Sequence, residues 1–410
     1  METSFKLDGG NMLKIDWPEY VLSVLDALER AGYEAWAVGG CVRDALLGRV
    51  PHDWDVCTLA TPPQMRRALE GFRLVDTGEK HGTLTAVAGG EPVEITTFRA
   101  DGAYTDHRRP DGVSFVRSLR EDLARRDFTV NAMACHPARG LVDYFGGRED
   151  LRWGLIRCVG EADERFNEDG LRLLRALRFA ARFRFAIEPE TAEALRRNRG
   201  LLRFIARERV LSELRGMLLA PGAAEILAAY PEVIAAAVPQ LRTEGDAWRR
   251  ALAAVEKAPA DFSVRLALLT DSRNAADLLS GLKTDCETRD DVLALTRRRG
   301  DTPPRDAPGA RRLLFALGEE RARKLCGLWR AEGREGADEA AEQIEAALAR
   351  QDCHTLAQLQ IGGRQLTAMG LRGPDVGETL RELLFAVMDG RIENEENALL
   401  DAAKRLSEKK

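Results

Sequence analysis

The sequence predicts an α+β protein: a small α/β head followed by an elongated, all-helical neck, body and tail. Short β-like runs are confined to roughly the first 150 residues, where they alternate with helical ones. From about residue 160 nearly every segment has helical spacing and is rich in Ala, Leu, Arg and Glu. The length supplies a third observation, since 410 residues at 45% hydrophobic content exceed one compact domain of ~100–200 residues. The expected divisions are a head over 14–150, a neck over 151–219, a helical body over 220–350 and a helical tail over 351–410.

In chain order, EAWAVGG (34–40) reads as a strand entering a Gly-Gly turn, and CVRDALLG after it as a helix. HDWDV (52–56) reads as a strand. GTLTAVA (82–88) and VEITTF (93–98), joined across a Gly-Gly turn, read as a hairpin. LVDYF (141–145) is a further strand, closed by Gly146 and Gly147. Beyond it, breaks at Gly200, Pro221 and Gly222, Pro231, Pro239, Gly300 to Pro304, and Gly362 to Gly363 divide the helices. No fixed-period repeat of the solenoid kind is present.

Composition excludes several classes. No apolar run approaches the ~18 residues of a membrane span, and METSFKLDGGNMLKIDW lacks the layout of a signal peptide. A soluble cytoplasmic protein with no membrane partner is the expectation. Seven cysteines, odd in number and never in a CxxC pair, argue against a disulfide framework or a zinc site. The net charge of −5 carries no global signature of nucleic-acid binding. Residues 151–215 differ, with 15 Arg, no Lys and 10 acidic residues, a local excess of +5. Two readings stand for that stretch: a phosphate-facing RNA surface, or a solvated helix surface paired with nearby Glu.

The most informative segment is AVGGCVRDALLGRVPHDWDVCTLAT (37–61). If HDWDV is a strand, its period of two puts Asp53 and Asp55 on one side and Trp54 and Val56 on the other. Two carboxylates converging on one point favour a cation, and oxygen-only ligation suits Mg²⁺, which also bridges triphosphate oxygens. A lone DxD is commonly a surface loop. The preceding Gly39, Gly40 and helical run sharpen it, because backbone N–H groups at a helix start cradle phosphate while Arg43 neutralises it. His52-Asp53 does not mark an HD-type phosphohydrolase, which needs an earlier histidine that this chain lacks.

GGCVRD followed by DWD resembles the signature of the polymerase-beta-like nucleotidyltransferase superfamily, in the class holding bacterial tRNA CCA-adding enzymes and poly(A) polymerases. RRDFTVNAMA (125–134), NEDGLRLLRALRFAARF (167–183) and ARERVLSEL (206–214) match further motifs of that class in order, covering most of 35–215. The resemblance implies a polymerase-beta-like head in which Asp53 and Asp55 bind two metal ions, one activating the RNA 3′-hydroxyl and the other holding the triphosphate. It implies Glu94 as a third acidic side chain, although Glu in a strand is also commonly just exposed. It gives Gly40 and Arg43 to the nucleotide, Arg126 contact with it, and Asp127 a position near its ribose. For Arg125 a salt-bridged turn remains an alternative.

Wound at 100° per residue, NEDGLRLLRALRF puts Leu173, Leu174 and Leu177 on one arc of about 100°, with Arg172, Arg175 and Arg178 on a separate stripe beside Asp169. Most such charged fronts are merely solvated. In the family it resembles, an Asp and an Arg of this helix act as a template for the incoming base, which implies Asp169 and Arg172 here. Cytosine and adenine each offer an amino donor beside a ring-nitrogen acceptor, matching a carboxylate and a guanidinium. Uracil and guanine reverse that order and would leave groups unpaired. Arg175 and Arg178 would reach toward the phosphates.

ADGAYTDHRRPDGVSF (100–115) looks like the flexible loop of full CCA-adding and A-adding enzymes, and 359–400 resembles the tail of CCA-adding enzymes of Gram-positive bacteria. The expected function is template-independent addition or repair of the tRNA 3′ CCA from CTP and ATP, with Mg²⁺ as cofactor. A poly(A) polymerase or A-adding enzyme is the alternative within the class, and a non-catalytic RNA-binding protein the alternative outside it. A homodimer is left open.

Overall fold

The structure is a computed structural model that describes residues 2–6, 12–101 and 113–407. Residues 102–112 of the expected loop therefore lie outside the described residues. The chain is α+β and divides into two compact units, Met1–Gly222 with Ala229–Pro239, and Ala223–Ala228 with Gln240–Lys410.

The first unit is built on a seven-stranded mixed sheet of β1 (Ala35–Val38), β2 (Trp54–Thr58), β3 (Arg73–Gly78), β4 (Thr83–Ala88), β5 (Glu91–Thr97), β6 (Met133–His136) and β7 (Gly140–Asp143), in the order β7-β6-β1-β2-β5-β4-β3. Only β2 and β5 pair in parallel; the other neighbours are antiparallel. The predicted hairpin is β4–β5, turned at Gly89 and Gly90, which both have positive φ. On one face Trp36, Val38, Cys57 and Ala134 pack with Leu119 and Leu123 of α4 (Leu119–Ala124). On the other, α1 (Glu19–Arg30) buries Val21, Val24, Leu25 and Leu28.

LVDYF departs from expectation at its end, because β7 stops at Asp143. The Asp143 carboxylate accepts hydrogen bonds from the backbone N–H of Phe145, Gly147 and Arg148. That local capping draws the chain out of the strand and into α5 (Gly147–Trp153).

Helices α6 (Ala162–Glu168), α7 (Leu171–Phe183), α8 (Pro189–Asn198) and α9 (Arg207–Leu218) follow in the unit, which also holds the helix Pro231–Ala237. The apolar back of α7 is as predicted, with Leu173, Leu174 and Leu177 buried, and α7 packs along α9. The second unit is helical throughout its described residues. Asp261, Asp285 and Asp306 cap helices there by accepting the N–H of Val264, Thr288 and Gly309. The predicted break at Gly300 to Pro304 separates Cys286–Arg298 from Ala307–Leu317. Leu366, Leu383, Leu384, Met388 and Leu399 form an apolar cluster near its end. Among the described residues no helix is long and apolar enough to cross a membrane.

Candidate active site

The parallel register of β2 and β5 sets Asp55 directly opposite Glu94. Same-register residues project from the same face of a sheet, so these two carboxylates are neighbours, while Trp54 and Val56 are buried on the opposite side. Asp53 behaves differently from the expectation. The strand begins at Trp54, one residue too late to include it, and its side chain is 90% exposed with His52 Nδ1 3.9 Å away. Among the described residues no three His, Cys, Asp or Glu side chains stand close enough to hold a metal ion. Asp53 thus stands just outside the strand whose alternation orients Asp55, while its charge still reaches Asp55.

Asp55 nevertheless feels its neighbours. Solvent reaches it, but the surrounding protein desolvates it, and the charges of Glu94 and Asp53 add to that effect against the attraction of Arg126. The outcome is a carboxyl pushed up to about 6. Like charges crowded in this way are relieved by a divalent cation, and the donor set is the hard oxygen set that Mg²⁺ takes. Asp55 and Glu94 supply two of the oxygen ligands such an ion takes.

Beside these carboxylates lies the Gly-Gly turn that opens α2 (Gly40–Leu46). Gly39 has φ of 79°, a conformation side chains disfavour. A Cβ there would also stand 2.8 Å from Arg126 Nη1. Glycine at this position is thus what lets the Arg126 guanidinium close on the turn. Arg126 is held from behind by Asp122, with Nη2 3.3 Å from Oδ2, and its Nε has no hydrogen-bond partner.

Arg43 does not face outward as a phosphate ligand would. It is only 4% exposed, donates to Asp44 at 2.9 Å and to Asn131 at 2.5 Å, and lies over the rings of Phe179 and Phe183. Burial lowers its pKa against the pull of Asp44. One nitrogen sits 3.6 Å from where a Gly40 Cβ would stand, so its charge lies directly beneath the turn.

The arginine stripe of α7 is likewise committed inward rather than solvated. Arg172 donates to Glu168 and to the carbonyls of Arg165 and Arg125. Arg175 donates to Asp127, and Arg178 to Glu213 at 2.5 Å while covering Phe179. Burial opposes the charge on Asp127, but Arg175 and Asn131 outweigh it and hold that carboxyl down at about 2. Asp169 accepts from Arg209 at 2.8 Å and from its own helix at Leu171 N, 3.0 Å. Asp169 and Arg172 thus start the same helix but are engaged by different partners.

Sequence reasoning missed the residues that hold these groups. Asp122 is fully buried and gathers Arg125, Arg126 and the Arg99 N–H. Its only sequence signal is its place three and four residues before the arginine pair. Arg209 and Glu213 lie inside ARERVLSEL, a segment matched by resemblance without roles for its members.

Comparison with known proteins decides the family. The chain is 36% identical over 387 residues to the CCA-adding enzyme of Geobacillus kaustophilus, covering 93% of this chain and 95% of that one. It is 38% identical over 395 residues to that of Streptococcus pneumoniae, covering 92% and 95%. The chain belongs to the CCA-adding enzyme family. Its members' signatures recur along the chain: residues 35–157 match the poly A polymerase head domain. Residues 184–230 match a probable RNA- and SrmB-binding site of polymerase A. Residues 254–403 match a tRNA nucleotidyltransferase second domain. A crystal structure of the Bacillus stearothermophilus CCA-adding enzyme in complex with CTP is similar at a TM-score of 0.81 and 32% identity, covering 95% of this chain and 98% of that one. A CCA-adding enzyme fold therefore carries the geometry above, and the chain is a tRNA nucleotidyltransferase.

Proposed function

We propose that the chain builds or repairs the 3′-terminal CCA of tRNA from CTP and ATP, without a nucleic-acid template, using Mg²⁺. The observation that carries this reading is the register pairing of Asp55 with Glu94 beside the Gly39–Gly40 turn, in a member of the CCA-adding enzyme family.

Asp53, Asp55 and Glu94 would hold the metal, which when bound activates the RNA 3′-hydroxyl and neutralises triphosphate charge. The chain's own groups do the rest. Arg126, whose Nη1 lies beside the turn, donates to the triphosphate, while Arg43 supplies positive charge from beneath Gly40. Asp127 lies toward the ribose, fixed by Arg175. Asp169 and Arg172 read the base edge, and an incoming base competes with Arg209 and Glu168 for them. Arg178 braces this layer through Glu213. The second unit binds the tRNA. The setting is the cytoplasm, in keeping with seven free cysteines.

The alternative of a poly(A) polymerase draws on the matches at 35–157 and 184–230. The tRNA nucleotidyltransferase match at 254–403 favours CCA addition. Purified protein is incubated with tRNA transcripts ending before CCA and with each nucleoside triphosphate alone and mixed. Extension by cytidines with CTP, completed by one adenosine when ATP is added, is the expected result. Long A tracts on unrelated RNA would overturn the reading.

A further inference from the structure

The surface at the end of α5 carries a feature that the nucleotide site does not use. Trp153 is 66% exposed, whereas Trp17, Trp36, Trp54, Trp248 and Trp329 are 2%, 5%, 3%, 6% and 0% exposed. A large aromatic ring left in water forfeits the stabilisation that burial brings. The Arg152 guanidinium lies 5.9 Å from the Trp153 ring centroid, within cation–π range.

The next residue, Gly154, abuts Phe185, whose Cδ1 is 3.4 Å from where a Gly154 Cβ would stand. Phe185 packs on Phe183 at 5.5 Å between centroids. Phe183 in turn carries Arg49 at 5.2 Å and Arg182 at 5.4 Å. Both of those arginines are exposed. Of the carboxylates on α5, Asp150 is buried and taken by Thr129 and Arg157, which leaves Glu149 as the exposed one. Arg182 also has Asp44 at 3.9 Å.

An exposed indole with a guanidinium beside it, and two further exposed arginines on the aromatic cluster that begins next to it, is a combination that holds RNA by stacking a base on the ring while phosphates meet the arginines. We propose that Trp153, with Arg152, is a stacking platform for an unpaired base of the bound RNA, and that Arg49 and Arg182 meet the adjoining backbone. This rests on the reading of the chain as a tRNA nucleotidyltransferase and adds an RNA contact outside the nucleotide site.

Because Trp153 is the one exposed tryptophan, acrylamide quenching of intrinsic fluorescence reports on it directly. The full chain is titrated with a tRNA transcript ending before CCA, and separately with CTP. Saturating RNA should reduce the quenchable component at least about threefold, and CTP alone should leave it unchanged. Trp153→Phe should lose that component yet keep RNA affinity within about threefold. Trp153→Ala should weaken RNA binding about 5- to 100-fold, raising KM for RNA but not for CTP.

If wild-type protein extends the transcript while Trp153 stays fully quenchable, or if Trp153→Ala binds RNA as tightly as wild type, the platform is overturned and the enzymatic reading stands. Protection that grows with protein concentration in the absence of RNA assigns the surface to a second copy and also overturns it. A wild-type protein that neither binds nor extends tRNA overturns both.

Discussion

Arg175 clamps one oxygen of Asp127, with Nη2 2.6 Å and Nε 2.8 Å from Oδ2, and so ties α7 to the turn that carries Arg126. Asp127 is held at about 2, below the ordinary value of 3.8. A depressed carboxyl stabilises the fold above its unfolded pKa and loses that contribution as pH falls through its folded pKa. The contribution is therefore complete above about pH 4 and vanishes toward pH 2, worth roughly 2 kcal/mol at 1.36 kcal/mol per unit. Asp127→Asn should flatten the acid limb of stability between those values, measured by denaturant unfolding at fixed ionic strength. An unchanged acid limb would show that other carboxylates set it.

Gly39→Ala should fail for two separable reasons. The residue sits at φ 79°, which costs a side chain roughly 1 kcal/mol or more, and the new methyl meets Arg126 Nη1 at 2.8 Å. The long side chain can move aside, so the fold should survive with a modest drop in Tm. The displaced guanidinium should still raise KM for CTP, by about tenfold for one lost charge-assisted contact. Pairing Gly39→Ala with Arg126→Ala tests the coupling, because the double variant should be little worse in KM than Arg126→Ala alone. Fully additive losses would break the proposed link.

Much of this was legible in the sequence because it depends on short-range periodicity. Alternation at Trp54, Asp55 and Val56 fixed which face the Asp55 carboxylate occupies, and the spacing of Leu173, Leu174 and Leu177 found the buried side of α7. The α7 arginines were harder. Helical spacing says that Arg172, Arg175 and Arg178 share a stripe, but whether that stripe meets water or carboxylates depends on Asp127, Glu168 and Glu213. Asp127 and Glu213 lie 48 and 35 residues away from their partners. Arg43 illustrates the same limit, since its partner Asn131 is 88 residues distant. The early end of β7 was missed for the opposite reason: a single Asp143 side chain overrides the β preference of Tyr144 and Phe145.

Asp169 offers its carboxylate to Arg209, so nucleotide choice should depend on both. Asp169→Ala removes the acceptor proposed to meet the base's amino group and leaves Arg209 without that partner. Discrimination against UTP and GTP should fall by about 10- to 100-fold, the worth of an unpaired polar group in a reading site. Arg209→Ala should produce a smaller loss of discrimination, because the carboxylate remains but is free to reorient. Steady-state kcat/KM for each triphosphate on a transcript ending before CCA gives both numbers. An Asp169→Ala enzyme that still strictly excludes UTP and GTP would refute the template role.

The Asp55 and Glu94 pair should reveal itself through metal and pH together. Asp55 has its carboxyl at about 6, above the ordinary 3.8, so in metal-free protein it takes up protons on folding and its charge opposes the fold as pH rises from about 4 past 6. Solvent screens an exposed group, which limits the penalty to about 1 kcal/mol or less. Mg²⁺ should offset that penalty, raising Tm at pH 8 and doing little at pH 5. Asp55→Asn should remove the Mg²⁺-dependent rise while leaving metal-free stability equal or slightly higher. It should lower nucleotide incorporation by about 10³-fold or more, as loss of a metal ligand does when the ion supplies several kcal/mol of charge stabilisation. Asp53→Ala should match it in activity while changing metal-free stability little, since its side chain stands in solvent. Glu94→Gln separates a ligand from a bystander: a ligand's loss shifts the Mg²⁺ midpoint upward, whereas an exposed strand residue's loss leaves it in place. tRNA affinity measured without metal should stay within about threefold of wild type in all three, because these carboxylates repel phosphate rather than bind it. Turnover unchanged in both Asp53→Ala and Asp55→Asn would remove the metal from this site.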